Sequence, residues 1–432
     1  MYMGFAAQYL AKNRLFGDFI SDFPCEDLKY IIVIPSYYEG RIKDTLNSLW
    51  KAQRPKHAVE IIVVVNSSED SPEDIRKVNR ETLWDIEQWH NIYGEDSFAY
   101  YSLHVPDLPV KYFGAGVARK IGMDEAISRF EKLNRDDGFI ISLDADTMVE
   151  ENYFTAIEET LENSSALNAG ILYFEHPVEG DQFTGEIYEA VAQYELFLRY
   201  YNQALRWTGF PYAFHTIGSA FFVRALAYVK QGGMIRRKAG EDFYFLNKIF
   251  QLGNIREVNS TAVYPSPRFS ERVLFGTGPE VEKITNEPDK PYITYNPQAF
   301  YTLRIFFFGI DRLFHCSEHE MAVFLNNLDK GLGNFLEKNG FYQAVKRINN
   351  NCRRPEVFRK HFFQWFGGLK VIQYMHRVHE EDLEKVPVQQ AALQMLEILG
   401  YSLPFDNNSA DSRVYQLLQK YRTIERGSDY SI

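Results

Sequence analysis

The stretch Phe139-Ile140-Ile141-Ser142-Leu143-Asp144-Ala145-Asp146 decides the fold that we expect for this chain. Four of its first five residues are apolar, a short run typical of a buried parallel strand. The run ends in two carboxylates separated by one alanine, and open α/β sheets bind ligands beyond the carboxyl ends of their strands. Two oxygen ligands at such an edge suit a hard divalent cation, Mg²⁺ or Mn²⁺. Because Asp also favours turns and helix caps, an isolated Asp-x-Asp can be a simple turn, and the surrounding sequence must decide.

Segments typical of strands and of helices alternate on both sides of this stretch. Short apolar runs rich in β-branched residues predict strands at residues 30–34, 59–65, 97–105, 169–174, 221–223 and 255–263. Apolar residues at helical spacing predict helices at residues 41–50, 114–133, 150–161, 186–207 and 240–252. Strands that alternate with helices predict a parallel, doubly wound sheet with right-handed crossovers.

The pattern changes in the last third of the chain. Pro and Gly punctuate residues 266–291, which we interpret as a loop region. Beyond residue 296 the spacing is helical, for example at residues 299–314, 319–339, 355–367 and 389–399. We therefore predict an α/β domain at residues 1–290 and a helical domain at residues 291–432.

The composition narrows the class of protein. A net charge of −11 argues against nonspecific nucleic-acid binding, which requires a basic surface. Three widely spaced cysteines form neither a disulfide framework nor a zinc pattern, so a reducing compartment fits. No apolar run approaches the ~20 residues of a membrane helix. We expect a cytoplasmic protein, with peripheral contact to the inner face of the membrane left open.

Five segments resemble the GT-A glycosyltransferases, most closely the family 2 inverting enzymes, and they occur in that family's order. They are residues 32–39, 63–70, 114–122, 144–146 and 240–242. The resemblance covers about the first 280 residues and implies a GT-A fold, of the nucleotide-diphospho-sugar transferase type with a Rossmann-like mixed sheet, followed by a mostly helical C-terminal region. It implies an inverting, metal-dependent glycosyltransferase of polysaccharide biosynthesis. The acceptor hydroxyl could belong to a glycan, a lipid-linked molecule or a small molecule.

The resemblance assigns the donor, a nucleoside-diphosphate sugar, to the ends of the first strands. Asp146 corresponds to the main ligand of Mn²⁺ or Mg²⁺ in the DXD motif, and Asp144 to a second ligand or a ribose contact. Asn66, where the family often has Asp, could bind a base edge, although it could equally cap the strand end. The turn after the first strand would hold the nucleoside through Pro35, Ser36, Tyr37 and Glu39.

A glycine-rich helix start at residues 114–120 is a candidate phosphate site. Helix N-termini favour anions, so Gly116, Arg119 and Lys120 could approach the diphosphate. The alternative to a phosphate site is a helix that begins after a glycine and exposes its basic residues to solvent. A dinucleotide-binding fingerprint is absent, because Gly114-Ala115-Gly116 lacks the third glycine.

The acid pair at a later helix start is the catalytic candidate. An inverting transfer needs a carboxylate to take the proton of the acceptor hydroxyl, and the resemblance places Asp242 in that role, with Glu241 beside it. The alternative is that both side chains only stabilise the helix start. A lone histidine, His215, is a candidate for the acceptor side, although such residues are more often structural.

The sequence departs from the family after the last predicted strand. The Gln-x-x-Arg-Trp motif of processive synthases is absent, and no histidine occurs between Asp242 and Arg272 to serve as a third metal ligand. Arg268 or Arg272 could instead face the diphosphate from a glycine-containing lid, or the segment could be a linker.

Two other functions fit the same layout. A nucleotidyltransferase requires a Gly- and Arg-containing loop after the first strand, and Pro35-Ser36-Tyr37-Tyr38 is not such a loop. A non-catalytic carbohydrate- or nucleotide-binding protein of this fold predicts the loss of Asp146 or Asp242, and both are present.

Overall fold

The computed structural model describes residues 4–237, 239–269, 276–288, 290–402 and 412–432. Its strands are β1 (Leu28–Ser36), β2 (Ala58–Ser68), β3 (Phe98–Leu108), β4 (Phe139–Ser142), β5 (Met148–Val149), β6 (Ala169–Phe174), β7 (Phe221–Arg224), β8 (Ile255–Tyr264), β9 (Ile293–Thr294) and β10 (Val386–Pro387). Within this part of the chain, no helix is both long enough and apolar enough to span a membrane.

The helices fall into two groups along the sequence. Those that accompany the sheet are α1 (Ala7–Asn13), α2 (Ile42–Lys51), α3 (Glu73–Tyr93), α4 (Ala115–Lys132), α5 (Tyr153–Asn163), α6 (Gly185–Trp207), α7 (Ala225–Lys230), α8 (Glu241–Phe250) and α9 (Thr277–Asn286). Those of the C-terminal region are α10 (Pro297–Gly309), α11 (Glu318–Asn326), α12 (Lys330–Lys338), α13 (Phe341–Asn351), α14 (Pro355–Trp365), α15 (Gly368–Glu381), α16 (Val388–Ile398) and α17 (Arg413–Arg426), with a 3₁₀ turn at Ile310–Leu313.

The main sheet is mixed and has the order β3-β2-β1-β4-β7-β6-β8-β5. Strands β3, β2, β1 and β4 are parallel, as the alternation of strands and helices predicted. Strand β7 runs antiparallel to both of its neighbours, so the expectation of a wholly parallel sheet is wrong. The apolar run of β7 cannot indicate its direction, which depends on the end at which the chain re-enters the sheet after α6. The predicted mixed α/β domain followed by a mostly helical region is confirmed.

Two local expectations about helices are corrected by the structure. The loop predicted at residues 266–291 contains α9, whose Pro279 lies in the first turn, where proline is tolerated because the N–H groups there have no partner in the helix. The single helix predicted at residues 319–339 is two helices, because Asp329 caps a new one by accepting from the Leu332 N–H at 3.2 Å.

Contacts along the chain define two compact units. The first comprises Met1–Val191, Thr216–Thr285 and Glu425–Ile432 and contains the main sheet. The second comprises Ala192–His215 and Asn286–Ile424. The predicted division into domains at residue 290 stays a prediction.

Aromatic side chains fill the core of the second unit. Phe306 and Phe307 of α10 contact Phe362, Phe363 and Phe366 with ring centroids 5.2–5.8 Å apart. All five rings are buried, and all four pairs meet edge to face, which the ring quadrupole favours. Part of the high aromatic content of the sequence therefore serves packing.

Helix α4 lies against the centre of the parallel sheet, and a glycine sets how close it comes. A Cβ on Gly122 would lie 2.5 Å from Val33 Cγ1 and 2.9 Å from Val64 Cγ2. Both valines are fully buried in β1 and β2. The absence of a side chain at this position therefore lets the helix approach the strands that end at the candidate site.

We expect Gly122→Ala to destabilise the protein, although alanine is intrinsically the better helix residue by about 1 kcal/mol. The new methyl group overpacks the core against two immobile valines, which costs about 1–3 kcal/mol. Urea unfolding measures the difference. Gly17→Ala is the matched control, because a Cβ there meets nothing within 4 Å. A Gly122→Ala protein at least as stable as the wild type would contradict this packing.

Candidate active site

The candidate site lies at the carboxyl ends of β1, β2 and β4. The Leu143 N–H donates to the Val33 carbonyl at 3.2 Å, which continues the pairing of β4 with β1 up to the Asp-x-Asp turn. Helix α2 holds that turn from the other side. The buried Thr45 Oγ1 donates to the Ala145 carbonyl at 2.9 Å, and Ser48 Oγ accepts from the Val149 N–H at 3.2 Å. The backbone between the two aspartates is therefore fixed before any ligand binds.

Arg119 connects the Asp-x-Asp turn to the acid pair. Its Nη2 donates to Asp144 Oδ1 and its Nη1 donates to Glu241 Oε1, and only 5% of the arginine is exposed. Burial acts to lower the pKa of Arg119, but the charges of Asp144 and Glu241 outweigh it and raise the pKa above its ordinary value. The structure thus brings together three of the predicted residues, which come from α4, the β4 turn and the start of α8.

Two glycines make this arrangement sterically possible. A Cβ on Gly116 would lie 2.3 Å from the Arg237 carbonyl oxygen and 2.9 Å from Glu241 Cβ. A Cβ on Gly218 would lie 2.4 Å from Arg119 Nη2. The predicted residue Gly116 therefore lets the start of α4 pack against the start of α8, and Gly218 lets the backbone cover the guanidinium.

Lys120 is not part of this group. Its Nζ lies 2.8 Å from Asp124 Oδ2 and 3.1 Å from the Tyr9 hydroxyl, and Asp124 also accepts from the Tyr228 hydroxyl at 2.8 Å. Lys120 is 3% exposed. Neither it nor Arg119 belongs to a solvated basic face, because both are buried in ion pairs.

Asp242 is the second residue of α8, and the helix follows Gly240, which has a positive φ of 68°. The Phe243 N–H donates to Asp242 Oδ1 at 2.7 Å. The residue retains some exposed surface, but its carboxyl group is buried. Burial, and then the charge of Glu241, raise the pKa of Asp242 to about 7, while Arg119 and the Phe243 N–H act in the opposite direction. Such a carboxylate is a stronger base than an ordinary aspartate.

A second arginine joins two further predicted residues. Arg268 Nη2 donates to Glu39 Oε2 and lies 2.7 Å from Asp146 Oδ2. The Glu39 side chain is 0% exposed, and its Oε1 accepts from the Arg41 N–H at 2.9 Å. The pKa of Arg268 is raised, because Asp146 and Glu39 outweigh the effect of burial. Glu39 thus contacts a cation of the protein in this structure.

The ends of β1 and β2 present polar atoms without partners in the described structure. These are Ser36 Oγ and Asn66 Nδ2, both in buried residues. Asn79 bridges the two strand ends, because its Nδ2 donates to the Asn66 carbonyl at 3.0 Å and its Oδ1 accepts from the Tyr38 N–H at 2.9 Å. Buried donors without partners are uncommon, and these two lie at the strand ends, where α/β sheets bind ligands.

The remaining predicted residues lie as follows. Pro35 and Ser36 are in β1, and the ring of Tyr37 packs edge to face on Phe113 at 4.7 Å. His215 is half-buried in the segment between α6 and β7, and its role stays a prediction. Arg272 lies outside the described residues.

No cluster of three or more His, Cys, Asp or Glu side chains that could hold a metal ion occurs among the residues that the structure describes.

Three residues of the site were missed by sequence reasoning: Thr45, Asn79 and Gly218. Thr45 lies on the apolar face of α2, next to the buried Leu46. This position in the sequence was the only signal that Thr45 would be buried. Asn79 and Gly218 act through contacts with distant segments, for which the sequence offered no signal.

No family model and no curated protein matches this chain. It is similar to the crystal structure of S. aureus TarS 1-349, with 14% identity and a TM-score of 0.39 over 78% of this chain and 91% of that one. It is also similar to TarS 1-349 in complex with UDP-GlcNAc (16% identity, TM-score 0.39, 92% and 90% covered) and to GalNAc-T7 with UDP, GalNAc and Mn²⁺ (16% identity, TM-score 0.34, 60% and 48% covered).

We expect Arg119→Met to destabilise the protein by about 3–5 kcal/mol, because it leaves the buried Glu241 without its cation. Urea unfolding at neutral pH measures this loss, and adding Glu241→Met should restore part of it. Arg41→Met is the control, since the Arg41–Asp44 pair is about half exposed and such pairs contribute less than about 1 kcal/mol. Equal stability of the Arg119→Met and Arg41→Met proteins would contradict the role given to Arg119.

Proposed function

We propose that this protein is an inverting, metal-dependent glycosyltransferase. It transfers a sugar from a nucleoside-diphosphate sugar to a hydroxyl group of a glycan, a lipid-linked molecule or a small molecule. The observation that supports this most is the buried guanidinium of Arg119, which joins the strand-end Asp144 to the helix-start Glu241. Through this link, the turn proposed to bind the cation lies close to Asp242, whose pKa is raised to about 7.

The charges of the group fit a divalent cation. It contains five carboxylates and two guanidinium groups, namely those of Glu39, Asp144, Asp146, Glu241 and Asp242 and those of Arg119 and Arg268. An anionic diphosphate would be repelled by the excess of negative charge, unless a further cation accompanies it. Carboxylate oxygens are the ligands that Mg²⁺ and Mn²⁺ prefer, and the substrate phosphates and water can complete the coordination.

Asp146 and Asp144 would hold the ion, since both follow β4 and both retain exposed surface. When bound, the ion would offset the negative charge that develops on the departing diphosphate. Arg119 would keep the Asp-x-Asp turn at a fixed distance from the start of α8 while the binding of the ion and the donor changes the charge of the site.

Asp242 would act as the base. The acceptor oxygen attacks the anomeric carbon, the bond from that carbon to the diphosphate oxygen breaks, and the hydroxyl proton passes to the carboxylate of Asp242. A single displacement of this kind inverts the configuration of the sugar carbon. Glu241 is the less suitable base, because one of its oxygens already accepts from Arg119.

The nucleoside would lie over the ends of β1 and β2. Asn66 Nδ2 and Ser36 Oγ are buried donors whose hydrogen-bonding capacity the described protein does not use, and a base or ribose can accept from them. The diphosphate would lie near the start of α4, where no side chain caps the helix, because helix N-termini favour anions. No observation of the structure favours a nucleotidyltransferase.

We expect Asp242→Asn to lower the single-turnover rate of sugar transfer by about 10²–10⁴-fold, because asparagine cannot accept the proton. Donor affinity should change only a few-fold, since Asp242 acts on the acceptor side. Rapid-quench kinetics and calorimetry measure the two quantities. A near-wild-type rate would move the assignment to Glu241.

The pH dependence of kcat/KM provides an independent test of this base. Activity should rise through pH ~7, as Asp242 loses its proton. Because the charge of Glu241 raises the pKa of Asp242, Glu241→Gln should move this rise to lower pH. A rise that stays in place in Glu241→Gln would contradict the coupling of the two acids.

We expect Asp146→Ala to abolish the Mn²⁺-dependent binding of nucleoside diphosphates while the protein remains folded. Calorimetric titration with UDP, GDP, CDP and ADP, with and without Mn²⁺, measures this and identifies the base. Asp70→Asn, which changes an exposed carboxylate, is the control. Unchanged metal-dependent affinity in Asp146→Ala would remove the metal-site hypothesis.

A further inference from the structure

We propose that Arg268 forms an ion pair with Asp146 in the ligand-free protein. When a divalent cation and a donor bind, Arg268 leaves Asp146 and pairs with the diphosphate instead. Glu39 is the positioning residue that keeps Arg268 at the site through this exchange. The proposal rests on the function proposed above. To the diphosphate contact expected for Arg268 from the sequence it adds competition with the ion at Asp146, and it gives Glu39 the role of an anchor.

Glu39 is suited to be a permanent anchor. Its side chain is completely buried, Oε1 accepts from the Arg41 N–H, and Oε2 accepts from Arg268. The backbone is held as well, since Thr82 Oγ1 donates to the Glu39 carbonyl at 2.8 Å. A buried carboxylate that loses its cation is strongly disfavoured, so Arg268 should stay with Glu39 whatever binds beside it.

Asp146 is suited to change partners. About a quarter of its side chain is exposed, and its turn is fixed through Ala145 and Thr45, so the carboxylate is accessible without a rearrangement of the backbone. Arg268 Nη2 lies 2.7 Å from Asp146 Oδ2. A divalent cation bound to the same carboxylate would lie close to the guanidinium, and two cations at that distance repel each other. Arg268 therefore competes with the ion for Asp146.

The guanidinium is incompletely satisfied in the present arrangement. Glu39 and Asp146 are both contacted by the same nitrogen, Nη2, whereas arginine binds oxyanions best through two parallel N–H groups. Its Nε is buried and has no hydrogen-bond partner in the described structure. A diphosphate offers several acceptor oxygens, so a small rotation about the Glu39 contact would give Arg268 better partners than Asp146.

The exchange has a thermodynamic consequence. The ion alone must displace Arg268 from Asp146, and it therefore binds weakly. When a diphosphate is present, Arg268 gains a new partner and the ion binds more tightly. Because such coupling is reciprocal, the ion must increase the affinity for the diphosphate by the same factor.

Mn²⁺ binding, measured by the electron paramagnetic resonance signal of free Mn²⁺, tests the exchange without any transfer reaction. We expect Arg268→Met to bind Mn²⁺ alone more tightly than the wild type, by roughly tenfold, within the 5–150-fold range typical of coupled sites. In the presence of Mn²⁺, the same variant should bind UDP, GDP, CDP or ADP, each tested separately, more weakly. A variant that is merely damaged would weaken both.

Two further variants sharpen the test. Arg268→Lys keeps the charge but loses the forked donors, so it should stay near the wild type for Mn²⁺ alone and weaken the nucleotide. Glu39→Gln should resemble Arg268→Met if it folds. Arg41→Met is the matched control, because its side chain pairs with Asp44 while only its backbone N–H contacts Glu39.

The outcomes separate this proposal from the function on which it rests. Unchanged or weaker Mn²⁺ binding by Arg268→Met overturns the exchange, even if nucleotides bind normally, and so does an absence of Mn²⁺ binding by both proteins. If no nucleoside diphosphate binds to the wild type under any condition, the proposed function fails. Tighter Mn²⁺ binding by Arg268→Met would in that case still support competition at Asp146.

Discussion

The ion pairs of Arg119 are the interaction on which the candidate site depends. A guanidinium that is 5% exposed requires anionic partners, because an isolated charge in the interior is strongly disfavoured. Its partners, Asp144 and Glu241, belong to the turn after β4 and to the start of α8. Glycines at 116 and 218 leave room for these contacts, because a Cβ at 116 would lie 2.9 Å from Glu241 Cβ and a Cβ at 218 would lie 2.4 Å from Arg119 Nη2. The buried guanidinium of Arg119 thus fixes the distance between the Asp-x-Asp turn and the start of α8.

Arg268 forms ion pairs of the same kind but is more exposed to solvent. It also joins two carboxylates, but its side chain is 24% exposed, against 6% for Arg119. The more buried arginine is suited to hold the site, because a buried cation that loses an anionic partner is strongly disfavoured. The more exposed one lies where a ligand can reach it and can change partners without leaving the surface. Ion pairs between arginine and carboxylates therefore give a rigid contact at Arg119 and, in our proposal, an exchangeable contact at Arg268. The difference between the two is how deeply the arginine is buried.

Helix α4 shows why the candidate site could be located but not completed from the sequence. The helix is buried over most of its length, and its charged residues are satisfied by ion pairs: Lys120 with Asp124, Glu125 with Arg14, and Arg129 with Glu60. Its sequence has no clear apolar face, so it does not indicate which cation points to which neighbour. Adjacent helical residues point about 100° apart, and for this reason Arg119 reaches Asp144 while Lys120 reaches Asp124.

The sequence by itself determined strands β1–β4 and β6–β8, most helices and the places of the carboxylates, because these follow from local apolar spacing and from where each run ends. It did not indicate the two-residue strands β5, β9 and β10. It located Asp144 and Asp146 after β4 and Asp242 at the start of α8 without any tertiary information. It did not determine the direction of β7, the helix inside residues 266–291, or the partners of the charged groups. Only the tertiary structure decided these, since Arg119 and Glu241 are 122 residues apart and Arg268 and Glu39 are 229 apart. Contacts between such distant residues depend on how the elements pack, which no local pattern records.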